Sequence, residues 1–265
     1  MLEYDAVIKC NIAVHQKEAD YYDFIHTEIY NKQEQKRLLQ LLQALTAQVE
    51  NQTFTALDFG AGTGNITQKL LTLGYTVTAV DISPDMCRKL CQKQAAMIKS
   101  HRLRVLNINL DKTNLQGQYD LVTGYSVIHH LPDYLKTIKK LASMVKLGGI
   151  LFFDHEPPPT TNAYQFNRTL ENAALRAHYF VDEKMNVAYL KLKHAKLPKI
   201  DYSKADVHTR LDWQGISELL STMGFIVQLT PHYVDDTRFT TPLSYLRKKI
   251  LRANSAMLIA KNTTI

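Results

Sequence analysis

Leu57-Asp58-Phe59-Gly60-Ala61-Gly62-Thr63-Gly64-Asn65, followed by Val77-Thr78-Ala79-Val80-Asp81, is the stretch that decides the fold of this chain. It reads as a buried strand, a glycine-rich turn, a helix, a second strand and an acid at that strand's tip. An open α/β sheet holds the adenosine half of a cofactor in this way. Glycines let the backbone pass close to a ligand where a Cβ would collide with it. The carboxylate of Asp81 can accept hydrogen bonds from both hydroxyls of a ribose. A spacing of about 20 residues from turn to acid is what one strand–helix–strand unit requires.

The details of the turn select among cofactors. A dinucleotide fingerprint is Gly-x-Gly-x-x-Gly, with pyrophosphate on the helix N-terminus. Here the spacing is Gly60-x-Gly62-x-Gly64, and Asp58 stands just before it. An aspartate there would face a pyrophosphate as anion against anion. It suits a ligand with an ammonium group, such as the amino acid end of S-adenosylmethionine, and a dehydrogenase is disfavoured for the same reason.

On these residues the chain resembles the class I S-adenosylmethionine-dependent methyltransferases. Gln118-Tyr119-Asp120-Leu121-Val122-Thr123-Gly124-Tyr125-Ser126-Val127-Ile128-His129-His130-Leu131-Pro132-Asp133 is similar to that family's fourth strand and following loop. Lys146-Leu147-Gly148-Gly149-Ile150-Leu151-Phe152-Phe153 is similar to its turn into strand five. The resemblance covers residues 55–155 and, more weakly, 211–262. It implies an α/β, Rossmann-like, mostly parallel sheet of seven strands in the order 3-2-1-4-5-7-6, with helices on both faces. It also implies S-adenosylmethionine as cofactor and S-adenosylhomocysteine as product.

Periodicity supports alternating strands and helices, while the strand order is what the resemblance implies. Strands are expected at 55–59, 76–80, 103–107, 119–123 and 149–154, with helical patterns between them, as in a parallel sheet with right-handed crossovers. Ser83 and Pro84 provide a cap and first-turn residue for a helix over 83–99. Residues 213–223 read as a helix ended by Gly224, and 225–230 and 255–261 as the last two strands. Ahead of the core, Tyr22, Ile25, Ile29, Leu38, Leu41, Leu42 and Leu45 recur at helical spacing, predicting two amphipathic helices over 15–50. Tyr21, Tyr22 and Phe24 read first as core residues there, with a lid over the cofactor as the other role. Residues 155–210 fit no core element and open with Pro157-Pro158-Pro159, which cannot extend a strand ladder. The chain therefore divides into an N-terminal helical cap (1–50), a methyltransferase core (51–154 and 211–265) and an inserted substrate cap (155–210).

Composition bounds the rest. With 265 residues the chain can build one sizeable core and an accessory layer. No apolar run approaches the roughly 20 residues that cross a bilayer, and Met1 to Ala19 lacks the apolar core of a signal peptide. Cys10, Cys87 and Cys91 form no disulfide framework, and a cytoplasmic setting is expected. The net charge of +7 is concentrated in lysine runs at 184–210 and in Arg247, Lys248, Lys249 and Arg252. These read first as solvated helix faces, and otherwise as attraction for an anionic partner.

Methyl transfer from a sulfonium is an in-line displacement that needs alignment and dryness, with no obligatory metal. Asp58, Gly60, Ala61, Gly62 and Gly64 are assigned to the methionine moiety, Asp81 to the ribose and Ile82 to the adenine face. By resemblance Asn109 and Leu110 lie by the adenine, where the family's usual acid is replaced; Asp111 is the alternative. Tyr125 and Ser126 border the methionine end. Asp154, His155 and His129 are the catalytic candidates, with His130 and Glu156 beside them, because titratable groups gather at the ends of strands four and five. These clusters lack the spacing of a metal site. Glu156-Pro157-Pro158 looks like part of an amine-methylating signature of nucleic acid enzymes, but it follows the wrong strand and lacks the aromatic residue. A small-molecule acceptor is expected, taking the methyl on oxygen, nitrogen or carbon. The alternative is RNA or tRNA, held by the 184–210 and 247–252 lysines through salt-sensitive contacts.

Overall fold

The computed structural model describes residues 4–49, 54–159, 210–234, 253 and 255–263. The expected 155–210 cap from residue 160 to 209, and the basic 247–252 run, lie outside them.

Strands β1 (Thr55–Phe59), β2 (Thr76–Asp81), β3 (Leu103–Asn107), β4 (Tyr119–Tyr125), β5 (Val145–Glu156), β6 (Phe225–His232) and β7 (Ser255–Asn262) form one sheet. Its order is β3-β2-β1-β4-β5-β7-β6. The first five are parallel, and β7 runs antiparallel to both β5 and β6. Alternate side chains of each strand feed opposite layers, as strand geometry demands. Leu57, Val122, Leu151 and Phe153 pack with Ile138 and Leu141 of α8 (Tyr134–Ala142) and with Ile216 and Leu220 of α9 (Trp213–Thr222). Ala56, Leu121, Ile150 and Phe152 pack on the other side, with Leu38 and Leu42 of α4 (Lys32–Thr46) and Leu70 of α5 (Asn65–Thr72). Strands covered on both faces lose the apolar–polar alternation and read as apolar runs.

Strand four extends two residues further than its sequence pattern suggests. Strand five starts earlier, at Val145, which pairs with Tyr119 across a register shift in the ladder. The helix expected over 83–99 is split at Gln94 into α6 (Pro84–Lys93) and α7 (Ala95–Lys99). Ser83 caps α6 as expected, accepting from Met86 N–H at 3.4 Å.

The N-terminal region departs most from expectation. Four helices stand where two were predicted: α1 (Tyr4–Glu18), α2 (Tyr22–Ile25), α3 (Thr27–Tyr30) and α4. Helix α1 begins well before residue 15, and its buried face includes Asn11 and Glu18 beside Val7 and Val14. A buried face interrupted by an amide and a carboxylate gives no clean apolar stripe to read. Asn31 caps α4, accepting from Glu34 N–H at 2.9 Å.

Candidate functional site

The carboxyl ends of β1, β2 and β4 border two cavities whose linings share Tyr22, Gly60, Gly62 and Tyr125. The larger is bordered by Asp81, Ile82, Asn109, Leu110 and Tyr125, together with Gly60 and Gly62. The smaller continues along the turn past Gly60, Ala61, Gly62 and Thr63 to Asp58. Nine of the expected cofactor residues thus line one or both of these two pockets. The tenth, Gly64, lines neither cavity.

The three glycines of the turn have left-handed φ angles of 66°, 53° and 98° at Gly60, Gly62 and Gly64. Their missing side chains serve different ends. A Cβ on Gly60 would stand 2.3 Å from Val127 Cγ2, and one on Gly64 would stand 2.4 Å from Leu90 Cδ1. Those two glycines let protein pack against protein. A Cβ on Gly62 would meet nothing within 4 Å, so Gly62 alone keeps open the space that a ligand can fill.

Asp81 stands at the tip of β2 with Oδ2 accepting from Gly62 N–H and Oδ1 from Ser83 N–H, both at 2.8 Å. A carboxylate oxygen accepts more than one hydrogen bond, so each retains capacity toward the cavity. Burial pushes its pKa above the usual carboxylate range, against the opposing pull of those N–H groups. Asp58 is fully buried beneath the turn. Thr67 Oγ1 donates to it at 2.5 Å and Thr123 Oγ1 at 3.1 Å. Burial dominates here too and lifts its pKa to about 6. Two carboxylates whose charge is costly to bury flank the turn, and a cationic ligand would relieve both.

Helix α1 forms a wall of the larger cavity that sequence reasoning missed. Tyr4, Ile8, Asn11 and His15 face the space. Tyr4 Oη donates to Asp111 Oδ2 at 2.5 Å, and Asn11 Nδ2 donates to the His130 carbonyl at 3.3 Å. Asp111 also accepts from Thr137 Oγ1 at 2.7 Å, and its own N–H donates to Asn109 Oδ1 at 3.0 Å. The loop after β3 is held from both sides. Tyr22 borders both cavities, while Thr63 of the turn donates to Asp23 Oδ1 at 2.5 Å. Asp23 is paired in turn with Lys93.

None of the three catalytic candidates lines either cavity. His129 is buried, its Nδ1 2.6 Å from Glu156 Oε2. Asp154 is wholly buried, paired with Arg37 at 2.6 Å and with His232 at 3.2 Å. Arg37 also forks onto Glu34 at 2.7 and 2.5 Å, and Glu34 accepts from Tyr125 Oη at 2.8 Å. His155 differs. Its ring is stacked on Tyr125, a residue that borders both cavities, with centroids 5.0 Å apart. Burial lowers its pKa in spite of the acids around it, keeping the imidazole neutral. His155 and Ser126 have φ angles of 61° and 53°, a conformation unusual for residues with a side chain and concentrated at functional sites. They adjoin each other, because Ser126 N–H donates to the Asp154 carbonyl at 2.9 Å. Among the described residues no cluster of His, Cys, Asp or Glu could hold a metal ion. No described helix is long and apolar enough to cross a membrane.

Residues 57–151 match a family described as a methyltransferase domain. A ubiquinone biosynthesis O-methyltransferase of Xanthomonas campestris pv. campestris is 31% identical over 96 residues, covering 36% of this chain and 40% of that protein. The chain thus spans about two fifths of the length of this curated relative. Magnesium protoporphyrin IX methyltransferase from Synechocystis PCC 6803, solved with bound S-adenosylmethionine, superposes with a TM-score of 0.55. It is 17% identical, covering 90% of this chain and 84% of that one. The N-methyltransferase NodS from Bradyrhizobium japonicum, solved with S-adenosylhomocysteine, has a TM-score of 0.55 at 13% identity and covers 98% of both chains. Residues 57–151 thus match a methyltransferase domain, and they lie in a sheet whose strand order and fold are shared with methyltransferases solved with S-adenosylmethionine and S-adenosylhomocysteine.

Proposed function

We propose that this protein transfers a methyl group from S-adenosylmethionine to a small-molecule acceptor. The observation that carries this reading is the pair of pockets, one lined by Asp81 and the other by Asp58, that share Gly60, Gly62 and Tyr125 in their linings. Asp81 would hold the ribose, Ile82 and Leu110 the adenine faces, with Asn109 at its edge. Asp58 would balance the ammonium of the methionine end. When bound, the cofactor supplies a methyl group on a positively charged sulfur, already activated toward displacement.

The protein's own work is then alignment, exclusion of water and, for an acceptor that carries a proton, its removal. Helix α1 excludes water by covering the larger cavity. His155 we assign to positioning Tyr125, since it stacks on that ring and lines neither cavity. Asp154 and His129 we assign to the frame, since Arg37, His232 and Glu156 already occupy their polar atoms. The O-methyltransferase relatives favour a hydroxyl acceptor. The RNA alternative depends on lysines outside the described residues, and no described feature adds to it.

Calorimetric titration with S-adenosylmethionine tests the cofactor reading. Asp81→Asn, which turns one acceptor oxygen into a donor, should weaken binding about ten- to hundredfold. Retained affinity would reject the assignment. S-adenosylhomocysteine formation across a set of hydroxylated and amino metabolites then identifies the acceptor class.

A further inference from the structure

Helix α1 brings an imidazole, that of His15, to the wall of the larger cavity. Its Nδ1 lies 2.7 Å from Oε1 of Glu18, which stands one turn further along the helix and is buried. Burial alone would raise the Glu18 pKa, but His15 and His26 draw it down to about 2. An ionised carboxylate can only accept, so Nδ1 carries a proton and Nε2 is the basic nitrogen of the neutral ring. Among the described residues no hydrogen bond engages Nε2. Glu18 also stands 3.6 Å from His26, which Glu28 holds at 2.8 Å, so the carboxylate is fixed from a second side.

The His15 ring stands beside the border that the two cavities share. It meets Tyr22, which lines both, edge-on at 6.2 Å, and His130 of the turn after β4 at the same distance. Asp81 lies close enough to interact with it electrostatically. With the ribose on Asp81 and the ammonium beside Asp58, the sulfur of the donor falls between these two carboxylates, at that border. An imidazole oriented by a buried carboxylate, with its other nitrogen unbonded at a cavity wall, has the arrangement of a general base.

We infer that His15 is the general base of methyl transfer, taking the proton of an acceptor hydroxyl on Nε2 while Glu18 holds Nδ1. This rests on the methyl-donor reading above and on a hydroxyl acceptor. As the acceptor oxygen bonds to the methyl carbon, the carbon–sulfur bond breaks with its electron pair left on sulfur. The hydroxyl proton passes to Nε2, and the imidazolium gives it to water once the products leave. The groups facing the ring are Glu18 on α1, Tyr22 on α2, Asp81 at the tip of β2 and His130 after β4. The two carboxylates among them stabilise the imidazolium as it forms.

Two readouts test this, and the first needs no acceptor. In imidazole nitrogen NMR spectra of the protein with S-adenosylhomocysteine, the His15 signals are those lost in His15→Gln. They should titrate with pH and show, in the neutral ring, a protonated Nδ1 beside a bare Nε2. A proton on Nε2 instead would overturn the assignment. The second readout uses two probe acceptors, catechol and 4-nitrothiophenol, of which the thiol is already an anion at neutral pH. His15→Gln should lower kcat on catechol about a hundredfold and remove the acid limb of its pH profile, while thiol turnover stays nearly unchanged. Calorimetric affinity for S-adenosylmethionine should remain within about threefold of wild type. Equal loss on both probes, or a parallel loss of donor affinity, would overturn the proposal. Wild-type protein that binds the donor but leaves catechol unmethylated rejects the hydroxyl acceptor on which the base depends. Wild-type protein that binds no donor rejects the methyl-donor reading itself, before any variant is made.

Discussion

Glu156, the last residue of β5, holds the ring of His129 at 2.6 Å and also accepts the backbone N–H groups of Val127, Ile128 and His129 at 2.7, 3.0 and 3.2 Å. One buried carboxylate thereby ties the turn after β4 to the end of β5. Val127 is the residue that Gly60 packs against, so this tie also sets the outer edge of the cofactor turn.

Glu156→Gln replaces an acceptor oxygen with a donor group facing other donors. Breaking a buried, hydrogen-bonded charge of this kind costs about 3–5 kcal/mol, readable as a lower urea midpoint. Burial alone would raise the Glu156 pKa, but His129 and the turn's N–H groups outweigh it and hold the carboxyl below its usual range. The stability it contributes is therefore present above the ordinary glutamate pKa and lost as pH falls. The variant should show a shallower acid limb in a denaturation series.

Alanine at Gly62 and at Gly64 should separate binding from folding. Gly64→Ala must push Leu90, which is fully buried, and holds an alanine at a φ of 98°. Overpacking with backbone strain should cost about 2–4 kcal/mol. Gly62→Ala clashes with nothing and carries only the left-handed penalty of about 1–2 kcal/mol. Its methyl group enters the cavity, so donor affinity should fall while the melting temperature moves little. Calorimetry beside thermal denaturation of both variants checks this, and equal affinity in the two would refute it.

The His26 contacts predict an alkaline loss of stability. Burial opposes its charge, but Glu18 and Glu28 prevail and raise its pKa to about 9. A histidine raised above its unfolded value of about 6.5 contributes fully below that pH and loses its contribution as pH climbs through 9. Glu18 is buried yet drawn down to about 2 by His15 and His26, so its own contribution fails only in strong acid. Wild-type stability should thus decline between pH 6.5 and 9, and His26→Gln should flatten that slope.

Asp58 predicts pH-dependent donor binding. Burial lifts its pKa to about 6, so the native state keeps the proton longer than the unfolded chain and stability falls as pH rises toward that value. The charge an ammonium requires is present only above it. Affinity for S-adenosylmethionine should therefore increase as pH rises from 5 to 7 through this pKa. Asp58→Asn should bind weakly and lose the part of this rise that Asp58 contributes, by calorimetry over the same range.

Local sequence carries the central strands because they are apolar and buried on both faces, as Thr55–Phe59 and Tyr119–Tyr125 are, and the half-exposed edge strand Leu103–Asn107 also stands where its residues predict. It carries the turn too, since left-handed backbone at Gly60, Gly62 and Gly64 leaves its mark in composition. Which glycine serves the ligand does not leave one. That depends on Val127 and Leu90, residues distant in the chain that happen to arrive beside Gly60 and Gly64. Helix α1 is hidden for a similar reason, as Tyr4 finds its partner in Asp111, 107 positions away. Among the titratable groups at the ends of β4 and β5, sequence could only name candidates. Tertiary contacts separated them, giving Asp154 to Arg37 and His129 to Glu156, and setting His155 against Tyr125. Fold class followed from hydrophobic pattern and backbone geometry, which are local and repeat along the chain. The roles of single side chains followed from which partners long-range packing brings within a few ångströms.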